Sequence, residues 1–332
     1  MPYTYIQSCS NFRGGSNRSL SCIFPNPVGA NHVIVVYAVV GVATAGIDFS
    51  DSLGLTYNNL ANGGFFGTLS LNGINGYQNL GWANTGSVSG NDTVTVSITQ
   101  PDYIALVAVE YAIEIGATQD TFAHQEQIAG FTVTQNITTS NPNGVLILAS
   151  VWGGATGSET LSAGSGLTSR FNSPNLSSFF GILIGDQPAT TAGLYSPQAS
   201  ASTSGNKWGT IALALTPVLP AGVCLVTGQL QNADGSPDND ANSFVRFILR
   251  GYSGQVPRVP GQSIIAEPQI DVYPDTNGNV STLLWGNAAI VPANTFYTIE
   301  HVRKGRVTSR ANYIVTCPFN LNSAIPIPPK TI

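Results

Sequence analysis

The spacing of apolar residues is the feature that most restricts how this chain can fold. Apolar side chains recur at every second position or in short continuous runs, as in β-strands. No run of ten or more residues shows the three-and-four spacing of an amphipathic helix. Clusters of Gly, Asn and Ser between the runs favour turns. The sequence therefore predicts an all-β fold, with strands at 32–40, 92–99, 103–115, 131–138, 144–152, 178–184 and 208–216, then at 223–231, 243–249, 263–273, 279–284, 296–302 and 306–316.

The predicted strand 103–115 has the clearest pattern. One face is apolar throughout and is predicted to face the core. The other face is partly apolar and carries two carboxylates, so it is predicted to meet solvent or a neighbouring chain. The first face carries Ala105, Val107, Val109, Tyr111, Ile113 and Ile115, and the second carries Leu106, Ala108, Glu110, Ala112 and Glu114.

A domain boundary is predicted between residues 216 and 217. Two prolines, Pro217 and Pro220, interrupt strand pairing there, and the charge balance changes. Residues 1–216 are predicted to form a jelly-roll-like β-sandwich. Residues 217–332 are predicted to form a smaller Ig-like or transthyretin-like sandwich, with hairpin turns at 275–278 and 304–305. The proline-rich segment 324–330 is predicted to be an extended tail.

Charge is scarce and unevenly distributed. Charged residues make up 9% of the chain, against about 25% in an average soluble protein. Residues 1–216 carry a formal charge of −6 and residues 217–332 carry +1. Neither part has the basic field that a phosphate backbone requires, so nucleic-acid binding is not expected. The apolar stretch 33–46 is too short for a membrane helix, and no membrane insertion is expected.

The four cysteines leave two alternatives open. Each predicted domain holds two, Cys9 and Cys22 in the first and Cys224 and Cys317 in the second, so one disulfide per domain is arithmetically possible. Free buried thiols fit equally well if the chain folds in a reducing cytosol. No C-x-x-C pair is present, which excludes a zinc ribbon by spacing.

Segments of both predicted domains resemble modules of bacteriophage tail and fibre proteins or of other exterior proteins. In the second domain, residues 226–237 (VTGQLQNADGSP) resemble the opening strand and turn of small tail and fibre sandwich domains. Residues 275–281 together with 284–287, and residues 292–297, extend that resemblance. In the first domain, residues 51–57 (DSLGLTY), 90–96 (GNDTVTV) and 109–111 (VEY) resemble turns and strands of jelly-roll modules in secreted and virion proteins.

The resemblance implies a virion structural protein of the tail, fibre, baseplate or capsid surface. Residues 1–10 lack the basic start and apolar core of a secretory signal, which fits a protein made in the host cytoplasm and released by lysis. The partners implied are copies of the chain, by analogy with fibres as a homotrimer, other virion proteins, and a host-surface glycan.

Few residues suggest catalysis, and no enzyme activity or cofactor is expected. The nucleophile motif G-x-S-x-G is absent, because Ala163 stands where its first glycine belongs. On a straight strand, Glu110 and Glu114 are about 13 Å apart at Cα, wider than the carboxyl spacing of glycosidases. The acidic loops around Asp234 and Asp275 lack the glycine and terminal glutamate of an EF-hand, so turn-forming roles and no metal site are predicted.

Contact roles are therefore predicted for a small set of residues. Trp82, between Gly81 and Ala83, is expected to be open enough to stack on a sugar, whereas Trp152 and Trp208 are expected in the core. Glu110 and Glu114 are predicted to lie at an interface. Arg303, Lys304 and Arg306 flank a hairpin tip. That tip is either a solvated turn or a contact for an acidic neighbour, such as the first domain of an adjoining subunit.

Three functions compete at this point. The leading hypothesis is a non-enzymatic virion protein that acts by assembly, since weakly charged sheet faces are inexpensive to desolvate at an interface. The first rival is a carbohydrate-binding or adhesion module of a bacterial surface. The second rival is a virion-associated glycan hydrolase.

Overall fold

The computed structural model consists of β-strands joined by turns. It describes residues 3–41, 46–61, 66–71, 74–113, 116–141, 144–153, 160–174, 180–203, 207–218, 222–232, 234–252, 254–259, 269–275, 277–317 and 319–327. Within these ranges the one helical element is a short 3₁₀ turn, Asn287–Ala289. The described residues contain no helix long and apolar enough to cross a membrane. The predicted all-β, β-sandwich fold is confirmed, and the jelly-roll and Ig-like strand orders stay predictions.

The chain divides into two compact units, Met1–Val218 and Leu219–Ile332. In the described part, the strands of the first unit are β1 (Tyr3–Ile23), β2 (His32–Val40), β3 (Ile47–Asp51), β4 (Asn58–Asn59), β5 (Phe66–Leu71), β6 (Ile74–Asn84), β7 (Thr93–Ile113), β8 (Ala117–Ala129), β9 (Thr132–Thr134), β10 (Ile137–Thr139), β11 (Gly144–Gly153), β12 (Leu161–Ala163), β13 (Thr168–Ser173), β14 (Phe180–Ala189), β15 (Gly193–Tyr195), β16 (Gln198–Ala201) and β17 (Lys207–Pro217).

Two antiparallel sheets of the first unit pack face to face. Sheet I has the order β1-β7-β2-β6-β4, with β3 added to β7 and β5 to β6. Sheet II has the order β13-β14-β11-β17-β8. The core between them is built mainly from β-branched and aromatic side chains that suit a pleated surface. Sheet I contributes Val35, Tyr37, Leu80, Trp82, Val107 and Val109, and sheet II contributes Ile147, Val151, Ile182, Ile211 and Leu213.

Strand β1 folds back on itself. Cys9 pairs with Ala108 and Cys22 with Val94 on the same partner strand, β7. Cys9 and Cys22 nevertheless form a disulfide, and Asn11 Nδ2 donates to Ser21 O across the fold (2.7 Å). The register slips between Arg13 and Asn17, where the turn forms. The β1–β7 ribbon is therefore doubled over, and its second half lies against the outer face of sheet I.

The outer faces of both large sheets are also covered. A second core joins the outer face of sheet I, including Ile34 and Leu106, to the doubled ribbon, including Val94. A third core lies outside sheet II, where small sheets β12-β16-β9 and β10-β15 cover residues such as Trp152 and Trp208. Strands buried on both faces read as continuous apolar runs, which explains the sequences of β2, β11 and β17.

The second unit is a smaller sandwich of two sheets. Its described strands are β18 (Val223–Gln229), β19 (Ser243–Arg250), β20 (Gln269–Val272), β21 (Asn279–Trp285), β22 (Phe296–Arg303), β23 (Arg306–Tyr313) and β24 (Phe319–Asn320). Sheet III has the order β21-β18-β24, with β18 and β24 parallel, and sheet IV has the antiparallel order β20-β19-β22-β23. A core that includes Val226, Phe247 and Ile299 lies between them, and the disulfide Cys224–Cys317 lies in this unit.

Most of the individual strand predictions agree with the structure, but several strands differ from the prediction and short strands such as β3, β13 and β16 were not predicted. The strand predicted at 32–40 is β2 without change, but those at 92–99 and 103–115 form one strand, β7. The strand predicted at 131–138 is two short strands, β9 and β10. Strands β1, β6 and β8 were not predicted, because their polar and glycine-rich segments do not show a clear apolar alternation. Residues 114–115, 178–179 and 263–268 of the predicted strands lie outside the described residues.

Candidate interaction surface

Trp82 lies in the interior of the first unit. It belongs to β6, where it pairs with Val35, and the residue is 6% exposed. Its indole Nε1 donates to Gln119 Oε1 (3.4 Å). The expectation that Trp82 is open to a ligand is wrong, because its small neighbours belong to a buried strand. Gly81 is required there, since a Cβ at this position would lie 2.6 Å from the ring of Phe49.

Glu110 is completely buried rather than placed at a surface. Its Oε1 accepts hydrogen bonds from the Gly29 N–H (2.9 Å) and from His32 Nδ1, and its Oε2 accepts one from Gln7 Nε2. The prediction that this face of the strand meets solvent or a neighbouring chain is wrong, because the doubled ribbon covers it. Glu114 lies outside the described residues. The buried carboxylate instead joins β1, β2 and β7.

The three cations predicted at the hairpin tip of the second unit lie in different environments. Arg303 turns toward its own unit, with Nε 3.6 Å from Asp238 Oδ2 and Nη2 donating to Asn232 Oδ1. Lys304 and Gly305 form the turn, with φ of 49° and 75°, the conformation of a tight hairpin. Lys304 and Arg306 are exposed, and neither makes an ion pair with another described residue. The tip therefore presents two positive charges outside any ion pair of the described residues, although the charge of Lys304 also contributes to lowering the pKa of Asp240.

A row of alternating charges crosses sheet IV beside this tip. The register places Asp271 opposite Arg246, Arg246 opposite Glu300 and Glu300 opposite Arg310, one residue from each strand. Arg246 binds Asp271 through two hydrogen bonds of 2.8 Å, and Arg310 Nε donates to Glu300 Oε1 (2.7 Å). We call this row the charge ladder. Glu300 is only 3% exposed and lies in register between the two arginines.

An aromatic pair adjoins the charge ladder. The rings of Phe244 and Tyr273 lie 5.3 Å apart, and Arg246 lies over the Phe244 ring at 5.1 Å. Tyr273 is 59% exposed. An exposed aromatic beside arginines is a common composition of protein interfaces. The hairpin tip, the charge ladder and this pair together form the candidate interaction surface.

The sequence indicated only the hairpin part of this surface. Arg246, Asp271 and Glu300 were not predicted as contact residues, because each is an isolated charge within its own strand. Their alignment depends on the register between four strands, and register is set by tertiary packing. The alternation of apolar and charged residues in 243–250 was the available signal that Arg246 faces outward.

The acidic loops of the second unit mainly bond to their own backbones. Asp234 Oδ1 accepts from Ser236 N (2.9 Å), Asp240 Oδ1 from Asn242 N (2.9 Å) and Asp275 Oδ1 from Asn277 N (2.8 Å). Hydrogen bonds from the Ser236 hydroxyl and backbone N–H lower the pKa of Asp234, and the hydrogen bond from the Asn242 backbone N–H lowers the pKa of Asp240. Such contacts are those of turn-forming Asp side chains. Among the described residues, no group of three or more His, Cys, Asp or Glu side chains is arranged to hold a metal ion.

Comparisons with known proteins add little to this description. No protein-family model matches the chain, and no curated protein is significantly similar to it. Among solved structures, the chain has a weak match to BcpA, the major pilin subunit of Bacillus cereus. That match has 9% sequence identity over 83% of this chain and 98% of the pilin chain, with a TM-score of 0.18. A score this low carries no argument about fold or function.

Proposed function

We propose that this chain is a non-enzymatic structural protein of a virion surface that acts by assembly. In this proposal, the candidate interaction surface of the second unit binds an acidic face on a neighbouring copy or on another particle protein. The observation that carries the proposal is the pair of exposed cations at the hairpin tip, Lys304 and Arg306, neither of which forms an ion pair with another described residue. They lie beside a ladder whose carboxylates already bind arginines. The acidic first part of the chain, with a formal charge of −6, supplies a complementary partner.

The two disulfides support a location outside a reducing compartment. One bridge lies in each unit, Cys9–Cys22 and Cys224–Cys317, and such bridges persist in oxidising surroundings. A virion protein meets those conditions once the particle is released. The resemblance of residues 226–237 to tail and fibre domains favours the virion over other exterior locations.

The test is self-association of the purified oxidised chain as a function of salt. We expect light scattering to show an oligomer at low ionic strength that dissociates at about 0.5 M NaCl, where charges are screened beyond about 5 Å. The double variant Lys304→Glu/Arg306→Glu should be monomeric. Arg13→Glu/Arg18→Glu makes the same charge change at exposed positions of the first unit and serves as the matched control. A wild-type monomer at every salt concentration, or equal effects of both variants, would contradict the proposal.

A carbohydrate-binding module of a bacterial surface is the second candidate, and one observation favours it. Tyr273 presents an exposed ring next to Phe244 and Arg246, and exposed aromatic rings can stack on sugars. Binding on a glycan array that is lost in Tyr273→Ala but kept in Lys304→Glu/Arg306→Glu would favour this function over assembly. An unaltered array signal in Tyr273→Ala would remove it.

A further inference from the structure

Two segments that are distant in sequence, 51–57 and 90–96, meet at one end of the doubled ribbon. Asp51 ends β3 and pairs with Val94 at the start of β7. Ser52 connects the segments: its N–H donates to Thr93 O (3.2 Å), its Oγ donates to Asp92 Oδ1 (3.1 Å), and it accepts from Thr93 N (2.9 Å). Ser52 Oγ also lies 3.5 Å from Asn91 O. The carboxylates of Asp51 and Asp92 are therefore brought to the same place.

Each of these carboxylates keeps one buried oxygen without a hydrogen-bond partner among the described residues. Asp92 is 1% exposed, and its Oδ2 has no partner. Asp51 Oδ1 accepts from Leu55 N (3.0 Å), but its Oδ2 is buried and has no partner either. The Tyr57 hydroxyl also lacks a partner of ordinary hydrogen-bond geometry, although it interacts with the Asp51 side chain. Asp51 and Tyr57 are half-buried, so this small polar group lies at the edge of the apolar core against which Tyr57 packs.

Electrostatic coupling indicates that these three groups are close together. Burial raises the pKa of Asp92, and the negative charge of Asp51 raises it further. Burial, followed by the charge of Asp51, a hydrogen-bond interaction with the Asp51 side chain and then the charge of Asp92, raises the pKa of Tyr57 well above its ordinary value. In the part of the chain that the structure describes, no Lys, Arg or His forms an ion pair with either carboxylate. A buried carboxylate such as Asp92, next to a second, half-buried carboxylate and without a counter-charge, is costly.

We propose that Asp51, Asp92 and Tyr57 form a binding site for a divalent cation, with Ca²⁺ as the favoured ion. The donor atoms are all oxygens, which suit hard cations and disfavour zinc or copper. Two charged ligands, with water completing the coordination shell, predict a modest dissociation constant of about 0.1 to 1 mM, as in extracellular calcium modules. The bound ion fastens the end of β3 to the first residues of β7 and so stabilises the doubled ribbon.

The test compares the metal-depleted full-length chain with and without added CaCl₂. We expect millimolar Ca²⁺ to raise the melting temperature of the first unit by a few degrees, and Tb³⁺ to give luminescence excited through Tyr57. Asp92→Asn keeps the side-chain shape but removes the charge. It should abolish both responses and raise the melting temperature of the metal-free protein, because it removes an unpaired buried charge.

Further variants distinguish cation binding at this site from general effects of the substitutions on the protein. Asp51→Asn should also abolish the calcium response, and Tyr57→Phe, which keeps the ring packed near Phe49, should eliminate the terbium signal. Asp234→Asn/Asp240→Asn removes two exposed carboxylates of the second unit and should leave both responses unchanged. Absence of both responses in the wild-type chain, as expected if the carboxyl groups share a proton instead, would overturn the proposal. Full retention of the responses in Asp92→Asn would do the same.

Discussion

Cys9 and Cys22 lie on one strand, 13 residues apart in sequence and 5.7 Å apart at Cα. A straight strand of that length would separate them by about 43 Å. The disulfide therefore closes the fold in β1 and fastens the outer half of the β1–β7 ribbon to its inner half. The layer that covers Glu110 and the outer face of sheet I depends on this closure.

The first prediction concerns the two disulfides. Cys9→Ser/Cys22→Ser should destabilise the first unit by about 3 kcal/mol, because the short closed loop restricts the unfolded chain. Cys224→Ser/Cys317→Ser, which opens a loop of sequence separation 93, should destabilise the second unit by about 4 to 5 kcal/mol. Urea unfolding followed by a probe in each unit measures both values. Identical unfolding curves with and without reductant would show that the bridges do not restrict the unfolded chain.

Glu110→Ala should be among the most damaging single substitutions in the first unit. It leaves the Gly29 N–H, the Gln7 amide and the His32 imidazole without their buried hydrogen-bond partner, so a loss of about 3 to 5 kcal/mol is expected. Glu126→Ala is the control, because Glu126 pairs with His124 near the surface (2.7 Å) and should cost about 1 kcal/mol or less. Equal losses in the two variants would be incompatible with the buried network.

Trp82→Ala should act on stability rather than on ligand binding. Removal of a side chain that is 6% exposed leaves a cavity in the core between sheets I and II, with an expected cost of about 3 to 5 kcal/mol. Tyr273→Ala removes an exposed ring and should cost about 1 kcal/mol or less. Chemical denaturation of both variants checks the difference. A small effect of Trp82→Ala would mean that Trp82 is not part of the core.

The second unit should lose stability as the pH falls through the range of histidine titration. Burial lowers the pKa of His301, and this effect exceeds the opposing influence of Asp238, whose Oδ2 lies 3.7 Å from His301 Nε2. The unfolded chain then binds a proton more readily than the folded chain below about pH 6.5. The contribution of His301 is therefore present above that pH and is lost as the pH falls through the lower, folded-state pKa.

His301→Gln isolates this contribution from the titration of carboxylates. The variant should unfold with a shallower pH dependence between about pH 7.5 and 5 than the wild-type chain, as measured by the denaturation midpoint at each pH. A steeper dependence in the variant would mean that the charge of Asp238 dominates and that the folded protein favours the protonated imidazole.

The local sequence patterns were sufficient to predict an all-β fold, but they did not predict how the sheets pack in layers. Period-two and continuous apolar runs identified β2, β11 and β17, since these strands have strong patterns of their own. The nearly continuous apolar run of β7 also indicated that both faces of that strand are buried. The charged Glu110 within the run instead favoured the prediction that one face meets solvent. A buried Glu is explained only by its partners, and Gln7 is 103 residues away in sequence.

The interaction surface and the carboxylate pair depend on contacts between distant segments. The charge ladder requires the register of four strands, and Asp51 meets Asp92 only because β3 pairs with β7. Segment 51–57 resembles a turn of jelly-roll modules and segment 90–96 resembles one of their strands. Nothing in either segment indicated that its aspartate lies beside the other, because the pairing follows from the doubled ribbon.

The pairing of β1 with β7 also determines when β1 can become part of a sheet. Ile23 pairs with Thr93 and Tyr3 with Ile113, so roughly 70 to 110 further residues must leave the ribosome before its partner exists, a delay of several seconds at about 5 to 20 residues per second. Throughout that interval β1 has no partner strand. β1 contains many serine, asparagine and glycine residues. They keep the unpaired strand soluble and poorly suited to pairing with other nascent chains.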